Sequence, residues 1–111
     1  MANPTRHFNA LTEPEQERLS ILIEECSEVI QAGCKILRHG YESTNPKVPL
    51  SQTNRQDIER ELGDLLHALT RLCMAGDLNG AEIERRRDSK PAHIAPYLHH
   101  QEGGTHADTA S

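Results

Sequence analysis

The sequence predicts an all-α protein, an antiparallel helical bundle completed by homo-oligomerisation. Two long stretches repeat their apolar residues with a period near that of an α-helix, and each opens on a capping signal and closes on a glycine. Hydrophobic residues make up 35% of the chain and aromatics only 3%, so Leu, Ile, Val and Ala must build the core. A length of 111 residues suffices for one domain but buries too little apolar surface for a comfortable monomer. Packing against a second copy, as a homodimer or homotetramer, is therefore expected.

Taken in order, residues 1–11 form an irregular leader. Thr12 with Glu15 has the form of a capping box, and Pro14 falls in the first turn, where its missing N–H is harmless. The helical pattern then runs from about Glu13 to His39 and stops at Gly40. Tyr41 to Thr53, with Pro46 and Pro49, has no helical period and forms a loop. Thr53 or Asn54 caps a second helix, partnered by Gln56 or Asp57, that continues to about Ala75 and ends at Gly76-Asp77. A third, more charged helix covers Gly80 to Lys90, and Pro91 and Pro96 interrupt the segment beyond it. One domain over residues 1–100 and a disordered tail over 101–111, rich in small polar residues, complete the organisation.

Composition narrows the function classes. A formal net charge of −5 argues against binding a nucleic acid polymer, which calls for clustered Lys and Arg. Cys26, Cys34 and Cys73 are odd in number, lie within apolar helical patterns and fit no zinc spacing, so they are expected to be small buried residues of a reducing compartment. No segment has the form of a signal peptide or a membrane span, which points to a cytoplasmic protein that makes no use of a membrane. A P-loop pattern is also missing.

The informative residues are acidic. With about 100° per residue and Glu25 at zero, Glu28 falls near −60°, while Leu22, Val29, Ala32 and Ile36 lie between about −20° and +60°. With Glu61 at zero, Asp64 falls near −60°, and Ile58, Leu65, Ala68 and Leu72 occupy the same range. Each helix thus carries a carboxylate pair at i and i+3 that overlaps the edge of its apolar stripe. If the stripes face each other, four carboxylates converge at a low-dielectric seam, where repulsion and desolvation are both unfavourable. Basic side chains or a divalent cation can compensate. Hard oxygen donors without His or Cys favour Mg²⁺, with Mn²⁺ possible, and such sites leave room for substrate phosphates. A single acidic pair at this spacing is usually just a solvated face; the duplication at one phase favours a metal site.

Glu24-Glu25-Cys26-Ser27-Glu28 followed by Glu61-Leu62-Gly63-Asp64 resembles the E-E-x-x-E … E-x-x-D signature of the MazG-like all-α nucleoside triphosphate pyrophosphohydrolases. The resemblance covers about Leu19 to Cys73, and with Pro96-Tyr97-Leu98-His99-His100-Gln101 the chain is similar to small phage-encoded members. It implies a helical bundle, a dimer or dimer of dimers, with Mg²⁺ held by Glu25, Glu28, Glu61 and Asp64. Glu24 is implied as an auxiliary acid, for a second metal or the attacking water, and completes the catalytic set. Lys35 is implied as a phosphate ligand, and Arg38 and Arg71 join it as candidate substrate-binding residues. Arg71 stands where members often carry Asn; it binds substrate phosphate or simply offsets the acidic cluster.

The implied activity is Mg²⁺-dependent conversion of a (d)NTP to the (d)NMP and pyrophosphate. The alternatives are a phosphoribosyl-ATP pyrophosphohydrolase, which shares the motifs, and a non-catalytic helical dimerisation module whose acidic seam pairs with Arg38, Arg60 and Arg71. Asp57 serves either beside the site or as a cap, His39 is more simply solvated, and Arg85-Arg86-Arg87 form a solvated face. His93, His99, His100 and His106 lack tidy ligand spacing.

Overall fold

The computed structural model describes residues 8–48 and 50–101. Three helices follow one another: α1 (Glu13–His39), α2 (Asn54–Met74) and α3 (Gly80–Ile94), the last running into a 3₁₀ turn at Ala95–Tyr97. No β-strand is present among the described residues.

Local chemistry sets the bounds of α1 and α2. Thr12 is extended, its hydroxyl accepts the Glu15 N–H, and the Glu15 carboxylate accepts the Thr12 N–H at 2.9 Å. Thr53 and Gln56 repeat this reciprocal box at the start of α2, with bonds of 3.1 and 2.9 Å. At the far end of α1, Gly40 takes φ +86° and donates its N–H to the Ile36 carbonyl at 2.7 Å. At the far end of α2, Gly76 takes φ +82° and donates to Cys73, while Asp77 donates to Leu72, both at 3.0 Å. That pair of bonds satisfies the last carbonyls and needs a left-handed residue, which glycine supplies without steric strain.

The same ends lock the helices into an antiparallel hairpin. Asp77, placed by the α2 terminus, accepts two hydrogen bonds from the Arg18 guanidinium of α1 at 2.6 and 3.0 Å. At the opposite end, the Asn54 side-chain amide donates to the Gly40 carbonyl at 3.0 Å, and the Asn54 and Arg55 N–H groups donate to Ser43 and Tyr41. Arg55 also stacks over the Tyr41 ring at 4.4 Å and pairs with Glu42 at 2.7 Å.

Between these locks the apolar stripes meet as their phase requires. Ala32, Ala68 and Leu72 are buried, and Leu22, Val29, Ile36, Ile58 and Leu65 are half-buried. Small residues at the contact let two helix backbones approach closely. The resulting core is thin: Leu72 alone among the described residues is a large side chain fully removed from solvent.

A second apolar stripe stays in solvent. Ile23, Ile30 and Leu37, spaced seven apart on α1, are 67%, 66% and 88% exposed, and Leu62 and Leu66 on α2 are exposed as well. Their helical angles, about +100° to +160° from the acidic residues, carry them off the α1–α2 contact. Cys26 and Cys34 share that side and are exposed, and Cys73 is half-buried. The expectation of buried cysteines is thus corrected: an apolar pattern marks a face, and this face is not the one α2 covers.

A separate compact unit begins at Asn79. The Asn79 side chain caps α3 by accepting the Ala81 and Glu82 N–H groups at 3.0 and 3.4 Å. The helix passes through Pro91, beyond the Lys90 end expected from sequence, and tightens into the 3₁₀ turn only after Ile94. Proline lacks the N–H that would reach the Arg87 carbonyl, a loss an exposed helix can make good with water. Among the described residues α3 has no buried residue, and Arg85 and Arg87 pair with Glu82 and Asp88 on a solvated face as expected. The predicted tail beyond Gln101, including His106, and the leader before Phe8 lie outside the described residues. No described helix is long and apolar enough to cross a membrane.

Because one side chain fills the centre of the hairpin, Leu72→Ala is expected to lower the unfolding free energy by about 2–5 kcal/mol. Urea denaturation measures it, and a loss below about 1 kcal/mol would show that the α1–α2 contact is not the main source of stability.

Candidate functional site

Glu25 and Glu28 project from the middle of α1, and Glu61 and Asp64 from the middle of α2. Oxygen atoms from these four carboxyl groups all lie within 4.8 Å of one another, a spacing that could hold a metal ion. Glu25, Glu28 and Glu61 are half-buried and Asp64 is exposed, so the group opens to solvent on one side. The helical phase explains the convergence: both i, i+3 pairs flank the seam in which Ala32 and Ala68 allow close approach.

Such proximity disturbs the acids. The Glu28 carboxyl is pushed up to about 7, first by its hydrogen bond to Glu61, then by removal from water and by the charges of Glu61, Glu25 and Glu24. Glu61 moves the other way, held below the ordinary carboxylate range by accepting from Glu28 and from Arg60. Arg60 donates to Glu61 Oε1 at 3.0 Å and lies 3.7 Å from Asp57. Protonation of Glu28, which these neighbours favour, relieves part of the repulsion.

The relief is incomplete. Glu25 Oε2 and Glu61 Oε2 are both buried, and no N–H or hydroxyl group among the described residues reaches either. Buried carboxylate oxygens without donors are unfavourable unless a cation or proton approaches them. The donor set is all carboxylate, with no His or Cys, which fits a hard divalent cation.

Beside the acids lie two connected cavities. A cleft of 220 Å³ runs from Glu28 and Glu61 past Gln31 and Ala32. It shares Lys35, Asn54, Asp57 and Arg60 with a larger cavity of 810 Å³ under the loop that joins α1 to α2. Arg38 and His39 line the larger cavity too.

Of the residues singled out in the sequence, Glu25, Glu28, Glu61 and Asp64 come together, with Glu24 exposed but near enough to raise the Glu28 carboxyl. Lys35 and Arg38 face the cavities, and neither forms an ion pair within 4.0 Å among the described residues. Arg71 is exposed and lines neither cavity. Asp57 lines both, and the N3 position of the α2 cap goes to Gln56 instead. Sequence reasoning gave Arg60 only a charge-pairing role and missed the cavity-lining loop; the one available signal for Arg60 was its position directly before Glu61. No family model, curated protein or solved structure matches the chain, so any functional reading rests on these residues and their geometry.

Folding raises the Glu28 carboxyl above its ordinary value, so its stabilising contribution is present at low pH and is lost as pH rises toward about 7. Glu61, being lowered, contributes in the opposite sense and loses its contribution as pH falls through its folded value. A cation on the four carboxylates must displace the Glu28 proton. Calorimetric Mg²⁺ titrations should therefore show tighter binding and less proton release at about pH 8 than at about pH 6. Glu28→Gln should flatten that dependence, and a pH-independent affinity in the unsubstituted protein would contradict the raised Glu28 carboxyl.

Proposed function

We propose that this protein is a small MazG-like, Mg²⁺-dependent pyrophosphohydrolase that converts a nucleoside triphosphate to the monophosphate and pyrophosphate. The observation that carries this reading is the meeting of four carboxylates, two with buried oxygens lacking any donor, beside a cavity lined by unpaired Lys35 and Arg38. Anionic ligands on one side and cations on the other suit a substrate that brings both phosphate and a divalent metal. The resemblance of the two acidic motifs to that family points the same way.

In this reading Glu25, Glu28, Glu61 and Asp64 hold the metal, which when bound neutralises phosphate charge at the reaction centre. Lys35 and Arg38 draw the phosphate chain toward the cavity mouth and fix its direction. Arg60, bonded to Glu61, keeps that carboxylate turned into the cluster. Glu24, outside the set of four, orients a water molecule and accepts its proton. The water oxygen bonds to the α-phosphorus as the bond from that phosphorus to the bridging oxygen breaks, and the electron pair leaves with pyrophosphate. Positioning and charge stabilisation supply most of the rate. The exposed stripe of Ile23, Ile30, Leu37, Leu62 and Leu66 completes the bundle against a second copy, because a monomer would leave this face in water.

Two measurements test these statements. Incubation with a panel of NTPs and dNTPs plus Mg²⁺ should yield monophosphate and pyrophosphate in equal amounts, and Glu61→Gln should reduce kcat by at least about a hundredfold. Release of inorganic phosphate, or full activity in Glu61→Gln, would refute the reaction. Sedimentation should give a dimer or tetramer that Ile30→Glu dissociates; a monomeric unsubstituted protein would refute the assembly.

A further inference from the structure

The larger cavity changes its chemistry from one end to the other. Where it joins the acidic cleft its walls are Lys35, Arg60, Asp57 and Asn54. Residues that line the larger cavity alone are Arg38 and His39 and then uncharged residues of the loop between the helices, including Ser43, Thr44, Asn45, Pro46 and Val48. Acid, cation and neutral polar surface therefore follow in series. Among the described residues no Phe, Tyr or Trp lines the cavity, the His39 imidazole is its one ring, and Asp57 is its one acidic residue.

A phosphate chain accounts for the cationic stretch and a metal for the acidic one. Neither accounts for the loop half, whose hydroxyl and amide groups and small apolar surface suit an uncharged, partly polar body. A volume of 810 Å³ is within the range of sites for whole small molecules and exceeds what three phosphates need.

The loop is built to keep this half in shape. The Ser51 hydroxyl accepts the Asn45 N–H at 3.0 Å and donates back to the Asn45 carbonyl at 3.3 Å. The Asn45 side chain accepts the Lys47 N–H at 3.0 Å, and Asn54 ties the loop base to Gly40 and Ser43. Asn45, Ser51 and Asn54 are thereby occupied in holding the loop. The side-chain hydroxyls of Ser43 and Thr44 make no hydrogen bond among the described residues, and both residues line the cavity.

We propose that the loop half of this cavity is the subsite for the nucleoside part of a nucleoside triphosphate, recognised by hydrogen bonds from Ser43 and Thr44. This rests on the pyrophosphohydrolase reading and deepens it by assigning a direction: phosphates toward Lys35 and Arg60, sugar and base toward Ser43, Thr44, Val48 and Gln52.

The test is equilibrium binding to the full chain in Mg²⁺, using α,β-methylene analogues of the common nucleoside triphosphates and, separately, inorganic tripolyphosphate. The best analogue should bind at least about tenfold more tightly than tripolyphosphate, and a Ser43→Ala, Thr44→Val double variant should lose about that factor for the analogue only. Thr44→Trp, at an exposed position where folding is not at stake, should likewise exclude the analogue and spare tripolyphosphate. If tripolyphosphate binds and no analogue binds more tightly, or if the variants weaken both ligands equally or neither, the subsite is overturned while the phosphate and metal reading stands. If neither ligand binds, the reaction reading falls and the subsite with it.

Discussion

Repulsion among four carboxylates at the contact between α1 and α2 is the constraint to which the rest of the hairpin responds. Helices bring Glu25, Glu28, Glu61 and Asp64 together only if something holds the backbones close against that repulsion. Apolar contact around Ala32, Ala68 and Leu72 supplies part of the hold, and the Arg18–Asp77 and Asn54–Gly40 bonds clamp the two ends. Arg60 pairs with Glu61 and the Glu28 carboxyl is pushed up toward its neutral form, yet two buried oxygens remain without donors. A protein whose only task was to pair two helices would gain stability by replacing these acids with apolar residues. Their presence is the reason to look for a cation.

The cationic side chains are arranged to complement this centre without filling it. Arg60 reaches Glu61 directly, whereas Lys35 and Arg38 face open space and pair with nothing within ion-pair distance among the described residues. Had all three turned onto the acids, the cluster would be a closed salt-bridge network with no room for a ligand. Their separation leaves a site with opposite charges on adjoining walls, which is the field a metal–phosphate complex requires.

The hairpin also divides its apolar surface in two. One stripe on each helix closes the α1–α2 contact; a second, through Ile23, Ile30 and Leu37 on α1 and Leu62 and Leu66 on α2, stays exposed. Placing the acids at the edge of the first stripe means that the same packing that builds the core also builds the site. Small changes in helix separation would therefore act on the carboxylate geometry directly.

Features that depend on a few neighbouring residues were legible in the sequence. The Thr12–Glu15 and Thr53–Gln56 boxes, the glycine ends at Gly40 and Gly76, and the equal phase of the two acidic pairs all follow from spacing along a single helix. So does the placement of Lys35 on the acidic side of α1. Relations between segments and choices between faces required the tertiary structure. Periodicity identified Cys26 and Cys34 with apolar positions but could not say which stripe α2 would cover. Pro91 marked an interruption that the helix passes through, because water can serve the freed carbonyl on an exposed helix. The cavity beside Arg38 depends on a loop without period, folded by Asn45, Ser51 and Asn54 through bonds whose partners no local pattern specifies. Sequence determined which groups share a helix face, since that is fixed by about 100° per residue; the fold decided which faces meet, since that depends on contacts between residues far apart in the chain.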